Sequence, residues 1–176
     1  LNTLYQAKWI RKWSAQQLIV GAAGMLQFNL NAPIAADQLL PDAFTFDQGI
    51  FALYKYELSK KHLFQLGLRQ DIRWIETRSD SLYLKRRYAS PNASAGWSWQ
   101  VNKMQRHRFN FSSGFRAPHL SELLANGFHH GALRYEIGDS SLLPERSLQL
   151  DWASDWSTEH GSLTINPYHG WVRDYI

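Results

Sequence analysis

Residues 62–77 read HLFQLGLRQDIRWIET, and their two-residue period decides how the rest of the chain is read. Phe64, Leu66, Leu68, Ile72 and Trp74 fall on one side, whereas Gln65, Gly67, Arg69, Asp71 and Arg73 fall on the other. A strand sends successive side chains to opposite faces, so this sorting predicts an extended segment with one apolar and one charged face. Outward in both directions the pattern recurs. Leu18, Val20, Ala22, Gly24, Leu26, Phe28 and Leu30 oppose Gln17, Gly21, Ala23, Gln27, Asn29 and Asn31. Ala93, Ala95, Trp97, Trp99 and Val101 oppose Asn92, Ser94, Gly96, Ser98 and Gln100. Phe109, Phe111 and Phe115 oppose Asn110, Ser112, Gly114 and Arg116, and Leu148, Leu150, Trp152 and Trp156 oppose Gln149, Asp151 and Asp155. Leu163 and Ile165 against Thr164 and Asn166 extend it, with looser versions around Tyr5, Ala7 and Trp9 and around Ile50, Ala52, Tyr54 and Tyr56.

This reading yields about eight strands, many of them near or above the roughly 9 to 11 residues with which a tilted strand crosses a bilayer. The connections alternate in length. Short ones fall around Ser14 to Gln16, Ser59 to Lys61, Asn102 to Arg106 and Thr158 to Gly161, and long ones at Asn31 to Gln48, Arg78 to Ser90 and Ala117 to Arg146. The fold class expected is therefore all-β, an antiparallel transmembrane β-barrel segment with short periplasmic turns and long extracellular loops. Trp13, Tyr56, Phe64, Trp99, Phe109 and Trp156 near the short turns would make one interfacial girdle, and Tyr5, Phe28, Trp74 and Trp171 the other. A soluble sandwich or lipocalin-like barrel shares the period but turns its apolar face to a core; long strands and polar faces rich in Gln, Asn, Arg and Asp favour a hydrated lumen.

Composition narrows the function classes. The chain has 176 residues and a mass of 20.4 kDa, with 44% hydrophobic, 19% charged and 14% aromatic residues, which speaks against intrinsic disorder. Without cysteine there is no disulfide, thiolate zinc site or cysteine nucleophile. The formal charge of +4 is spread over Lys60-Lys61, Lys85-Arg86-Arg87 and Arg106-His107-Arg108, short clusters at turns and loops, so no nucleic-acid partner is expected. Trp13 to Ala36 carries no charge, but Gln16, Gln17, Gln27, Asn29, Asn31, Pro33 and two glycines interrupt it, which disfavours a helical span. The N-terminal residues show neither the basic nor the apolar stretch of a secretory signal. No G-x-S-x-G, H-E-x-x-H or phosphate-binding glycine loop is present, and no enzyme activity is expected. The sequons at Asn92 and Asn110 lie on predicted strands and read as lumen-facing polar positions.

Residues 114–145, GFRAPHLSELLANGFHHGALRYEIGDSSLLPE, carry the family signal. They resemble the TonB-dependent outer-membrane receptors, in which a strand ends in a Phe-Arg-Ala-Pro box, passes a Ser-Glu-Leu turn and a long outer loop, and re-enters through an Asn-Pro-Asn-Leu-x-Pro-Glu box. Phe115, Arg116, Ala117 and Pro118 match the first box, Glu122 and Leu123 the turn, and Leu143, Pro144 and Glu145 the end of the second. Asp139, Ser140 and Ser141 depart from the second box's Asn-Pro-Asn. The Gly67-Leu68-Arg69-Gln70-Asp71 pattern resembles an earlier strand of the family, and Asp174-Tyr175-Ile176 a strand that pairs after a short periplasmic turn.

The resemblance implies a place in a barrel of about 22 strands with an N-terminal plug. Residues 1–176 are expected to be one partial barrel domain, without the plug or the closing strand. The location implied is the outer membrane of a Gram-negative bacterium, with lipid and, through the plug, the TonB complex as partners. The activity implied is import of a scarce nutrient, foremost an iron chelate such as a siderophore complex or haem, with zinc, cobalamin or an oligosaccharide as other cargoes. No cofactor is required; iron, haem or zinc would be cargo. His129, His130, His119, Glu122, Tyr135 and Glu136 in the longest outer loop are the candidate substrate or metal ligands, since neutral imidazole binds iron and zinc well, although loop histidines are more often merely solvated. Arg116 reads as a structural contact at the barrel rim. The alternative is an autonomous eight-stranded outer-membrane barrel serving adhesion or acting as a membrane enzyme.

Overall fold

The computed structural model describes residues 1–31, 39–78, 83–129, 131 and 133–176, and its architecture is a single large antiparallel sheet. Its strands are β1 (Asn2–Trp13), β2 (Gln16–Asn29), β3 (Ala43–Ser59), β4 (His62–Thr77), β5 (Lys85–Gln100), β6 (Gln105–Arg116) and β9 (Glu145–Thr158), followed by β10 (Gly161–Ile165) and β11 (Tyr168–Arg173). Between β6 and β9 lie a short helix α1 (Leu120–Leu124) and a small separate hairpin of β7 (Asn126–His129) and β8 (Arg134–Ile137). Neighbours pair in the order β1-β2-β3-β4-β5-β6-β9-β10, and β11 also pairs with β9. β10 and β11 lie end to end along β9, interrupted at Asn166-Pro167, so the sheet has eight strand positions and remains open, with β1 at one edge. Among the described residues no helix is long and apolar enough to cross a membrane; the strands are long enough to do so.

The register explains the period. Residues directly opposite each other share a face, and Leu18, Tyr54, Leu66, Ala95, Phe111 and Leu150 form one continuous row across β2, β3, β4, β5, β6 and β9. All of the aromatic residues expected in the two girdles share this face. Those near the short turns are Trp13, Tyr56, Phe64, Trp99, Phe109 and Trp156, and those near the long loops are Tyr5, Phe28, Trp74 and Trp171. The opposite face carries Asp47, Arg69, Asp71, Arg73, Asn92, Arg108, Asp151 and Asp155. Two-residue turns join β1 to β2, β3 to β4 and β9 to β10. In the first, Ser14 takes φ of 44°, the left-handed value that tight hairpin turns require.

Three boundaries differ from the sequence reading. β3 begins at Ala43 and β5 at Lys85, inside the loops expected to run to Gln48 and Ser90. Asp47 is paired by Arg73, and Lys85 by Glu76 on β4, so charges that read as loop chemistry are accommodated by cross-strand partners. Asp174-Tyr175-Ile176 is not a strand after a periplasmic turn. It follows β11 at the long-loop end, where Asp174 has φ of 54° and the Ile176 N–H donates to Glu145 Oε1 at 2.8 Å.

Between β5 and β6 the sheet splits. Their ladder stops at the Ser94–Ser112 pair, and the Ser113 hydroxyl takes over, accepting from Ala93 N–H at 2.8 Å and donating to Ala93 O at 3.3 Å. Pro91, lacking an N–H, sits just beyond. The gap is filled by α1: Leu123 and Leu124 pack with Ile75, Tyr88 and Ala117 in a small buried cluster, flanked by Leu84, Phe115, Leu120 and Leu142. The loop backbone continues the closure, because Ser140 O accepts from Arg86 Nη2 at 2.9 Å and Leu142 O from the Tyr88 hydroxyl at 3.5 Å.

Candidate functional site

The segment from Ala117 to Pro144 folds back over the long-loop end of the sheet, and one arginine at the end of β6 organises its two stems. Arg116 is the cross-strand partner of Glu145. It donates through Nη2 to Glu145 Oε1 at 2.9 Å and through Nη1 to both oxygens of Glu122, at 2.9 and 3.0 Å. Glu122 Oε2 also accepts the His119 backbone N–H at 2.8 Å, which caps the first turn of α1. Burial is the largest influence on the Glu122 carboxyl and pushes it up. The His119 N–H and the Arg116 guanidinium together outweigh that and hold it below the ordinary carboxylate value. The two sequence boxes thus meet in one ion-paired knot.

A second arginine fastens the loop from the opposite wall. Arg73 forks onto Asp47, its cross-strand partner, with Nε to Oδ1 and Nη2 to Oδ2 both at 2.6 Å. Its remaining nitrogen, Nη1, reaches the carbonyls of Ala117 and Pro118 at 3.3 and 3.4 Å. Next to it Arg69 is gripped by Asp71 at 2.7 and 2.8 Å through Nε, and Asp71 also accepts from Asn92 Nδ2 at 3.1 Å.

Between these tethers lies a cavity of about 450 Å³, lined by Asp47, Gln48, Arg69, Asp71, Arg73, Arg116 and His119 among others. Three guanidinium groups, Arg69, Arg73 and Arg116, face four carboxylates, Asp71, Asp47, Glu122 and Glu145. Each cation is already held by a carboxylate, so the cavity offers hydrogen bonding in place of an open anion trap.

The hairpin is a separate cluster. His129 Nδ1 lies 3.0 Å from Glu136 Oε1, the same oxygen that accepts from Arg134 Nε at 2.9 Å, and the Tyr135 hydroxyl donates to Asn126 Oδ1 at 2.9 Å. The bonds from His129 and Arg134 hold the Glu136 carboxyl below its ordinary value. Ser141 does the same for Asp139 through its hydroxyl and backbone N–H. Of the residues singled out in the sequence, His119 and Glu122 meet at α1 and His129 and Glu136 meet on the hairpin, whereas Tyr135 pairs opposite Phe128 and bonds Asn126 instead, and His130 lies outside the described residues. Among the described residues no group of three or more His, Asp or Glu side chains comes together as a metal cage. Arg73 and Asp47 stood out less in the sequence. Alternation puts Arg73 on the polar face, but Asp47 was expected within a loop, and their shared grip on Ala117 and Pro118 is a tertiary contact.

The family model described as TonB dependent receptor-like, beta-barrel, matches residues 9–176. Two solved structures share the fold. The copper transporter OprC superposes with a TM-score of 0.78 at 16% identity over 99% of this chain and 30% of its own. The FrpB iron transporter from Neisseria meningitidis (F3-3 variant) gives 0.65 at 16% identity over 97% of this chain and 28% of its own. The chain thus spans less than a third of either transporter. No curated protein sequence matches it.

Proposed function

Because the chain belongs to the TonB-dependent receptor β-barrel family, whose members are outer-membrane receptors and transporters of Gram-negative bacteria, we propose that it supplies wall and outer mouth to a receptor that captures a scarce nutrient and imports it. The observation that carries this reading is the double tether of the loop, Arg116 to Glu122 and Glu145 on one side and Arg73 to Ala117 and Pro118 on the other. A long outer loop held this way is a fixed lid over a polar cavity, and pre-organisation of that kind lowers the ordering cost of ligand capture. The cargo class we assign is a metal complex, foremost an iron chelate such as haem or a ferric siderophore. Two fold neighbours titled as copper and iron transporters support that class, as does the pairing of imidazole with carboxylate at the outermost hairpin. Uptake is coupled to TonB through a plug domain, and chemistry on the cargo is not part of the role.

The test is a binding isotherm on the complete receptor carrying this segment, with haem, a ferric hydroxamate and Cu²⁺ as separate titrants. One of them should bind saturably, and replacing Arg73 by Gln should weaken it by freeing the lid. Failure of all three to bind would overturn the metal-complex assignment. Unchanged affinity after His129→Ala and His130→Ala together would remove the histidines as ligands while leaving the lid reading intact.

A further inference from the structure

The other end of the sheet carries a feature that cargo capture does not use. Along the apolar face, just inside the short turns, runs a continuous stack of rings. His62 lies 5.9 Å from Trp97 and 6.3 Å from Trp99, Trp97 lies 5.4 Å from Phe109, and Trp99 lies 5.8 Å from His107, which is 6.0 Å from Trp152. Trp97 Nε1 is 3.2 Å from His62 Nδ1. An indole N–H only donates, so His62 Nδ1 accepts and a neutral His62 ring keeps its proton on Nε2 as a donor. Beside the stack, toward the sheet interior, an apolar groove of about 770 Å³ is walled by Tyr54, Tyr56, Phe64, Leu66, Phe109 and Trp152.

Immediately beyond the stack the chemistry changes sign. The Gln100 N–H donates to Lys61 O at 2.8 Å and ties the β3–β4 turn to the β5–β6 turn. Between the turns opens a cleft of about 580 Å³ bounded by Lys61, Lys103 and Arg106, with Gln100 and Asn102. Arg106 belongs to the lumen-side wall and is steadied by Gln100 Oε1 at 2.6 Å, whereas Lys61 and Lys103 are turn residues. Among the described residues the one lysine that forms an ion pair is Lys85, so Lys60, Lys61 and Lys103 have no carboxylate partner. Of the acidic groups on the facing strands, Asp155 is the cross-strand partner of Arg106 and is held by Arg108 and Thr164 at 3.0 Å each, and Glu57 sits opposite Leu63. Lys61 leads directly into His62, and Trp99 directly into Gln100, so the strand ends that bound the cleft also carry the ring stack.

We propose that this cleft and groove form a site for one anionic phospholipid of the periplasmic leaflet, its phosphate between Lys61 and Lys103 beside the His62 Nε2 donor, and an acyl chain in the aromatic groove. The orientation rests on the family reading, in which short turns face the periplasm. A free phosphate would need the cleft alone and leave the groove unexplained; an acidic peptide would not use an apolar groove at bilayer depth. Aromatic rings at the interface and lysines at the membrane surface are the two groups that anchor an anionic lipid.

The test uses the complete receptor in a non-ionic detergent, with native mass spectrometry counting retained phosphatidylglycerol against phosphatidylcholine. Two lysines near the headgroup predict a preference of about thirtyfold for phosphatidylglycerol. The preference should shrink in Lys61→Gln/Lys103→Gln protein that keeps its heat-modifiable migration, and Phe64→Ala should lower retention of both lipids alike. In the unaltered receptor the preference should also fall as salt is raised, a readout independent of any variant. Equal retention of the two lipids, or a preference indifferent both to salt and to the lysine substitutions, would overturn the proposal. So would displacement of the lipid by inorganic phosphate alone, which would identify a free-anion site.

Discussion

At Gly138 the outer loop lies against the backbone of α1, and adding one methyl group there tests whether the loop is docked as described. A Cβ on Gly138 would lie 2.5 Å from Leu124 N, 2.6 Å from Leu123 C and 2.8 Å from Ala125 N, all backbone atoms that cannot swing aside. Its φ is not in the left-handed region, so the penalty of Gly138→Ala is steric and local. Relief requires the loop to lift off α1. That breaks the bonds from Gly138 N–H to Ala125 O at 2.6 Å and from Asp139 N–H to Glu122 O at 2.8 Å. Overpacking costs about 1–3 kcal/mol and each of the two lost backbone bonds about 1 kcal/mol, so the docked loop should lose about 3–5 kcal/mol. Hydrogen exchange on the folded receptor reads this directly as a drop of about 150- to 4,000-fold in protection of the amides in and around α1 and the hairpin. Barrel-strand amides should keep theirs. Gly161→Ala, where a Cβ meets nothing within 4 Å, is the matched control and should change little. If Gly138→Ala leaves the protection of the loop as it is in the unaltered protein, the loop does not rest on α1 in solution and the lid argument fails with it.

Other expectations follow from the same contacts. Arg116→Gln strands two carboxylates that are only partly exposed and should weaken loop protection by about 1–2 kcal/mol after allowance for solvent screening, more than Glu122→Gln, which leaves Arg116 its bond to Glu145. Comparing the two variants by exchange is sufficient, and equal effects would show that the knot is not centred on Arg116. For pH, the folded Glu122 and Glu136 carboxyls lie below the ordinary value of 4.5, so their stabilisation is complete above 4.5 and is lost as pH falls through the lower folded values. Protection of residues 119–137, corrected for intrinsic exchange, should therefore stay level from pH 7 down to about 5 and fall only in acid; a decline already between pH 7 and 6 would contradict this. Ser14→Gly relieves a left-handed serine in an exposed turn and should raise barrel stability by about 1 kcal/mol or less, visible as a higher denaturant midpoint.

How much of this was legible beforehand follows from the range of each interaction. Alternation is local, so the strands, their apolar and polar faces and the short turns could be read from residues such as Phe64, Leu66 and Trp97 without knowing what they meet. The family signal was local too, because the Phe115-Arg116-Ala117-Pro118 box is contiguous. Strand starts were less legible. Asp47 and Arg86 read as loop residues because nothing nearby in sequence neutralises them, and only pairing shows Arg73 opposite the first and Ser140 reaching the second.

The site divides in the same way. The sequence by itself determined the two-faced strands and the boxes that bracket the long loop. Only tertiary structure decided that Arg116 joins the two boxes, that Arg73 reaches Ala117 and Pro118 across 44 and 45 residues, and that α1 fills the gap where β5 and β6 part. A strand's period is enforced residue by residue by its own backbone, whereas a guanidinium chooses among carboxylates and carbonyls only after the sheet has brought them within about 3 Å.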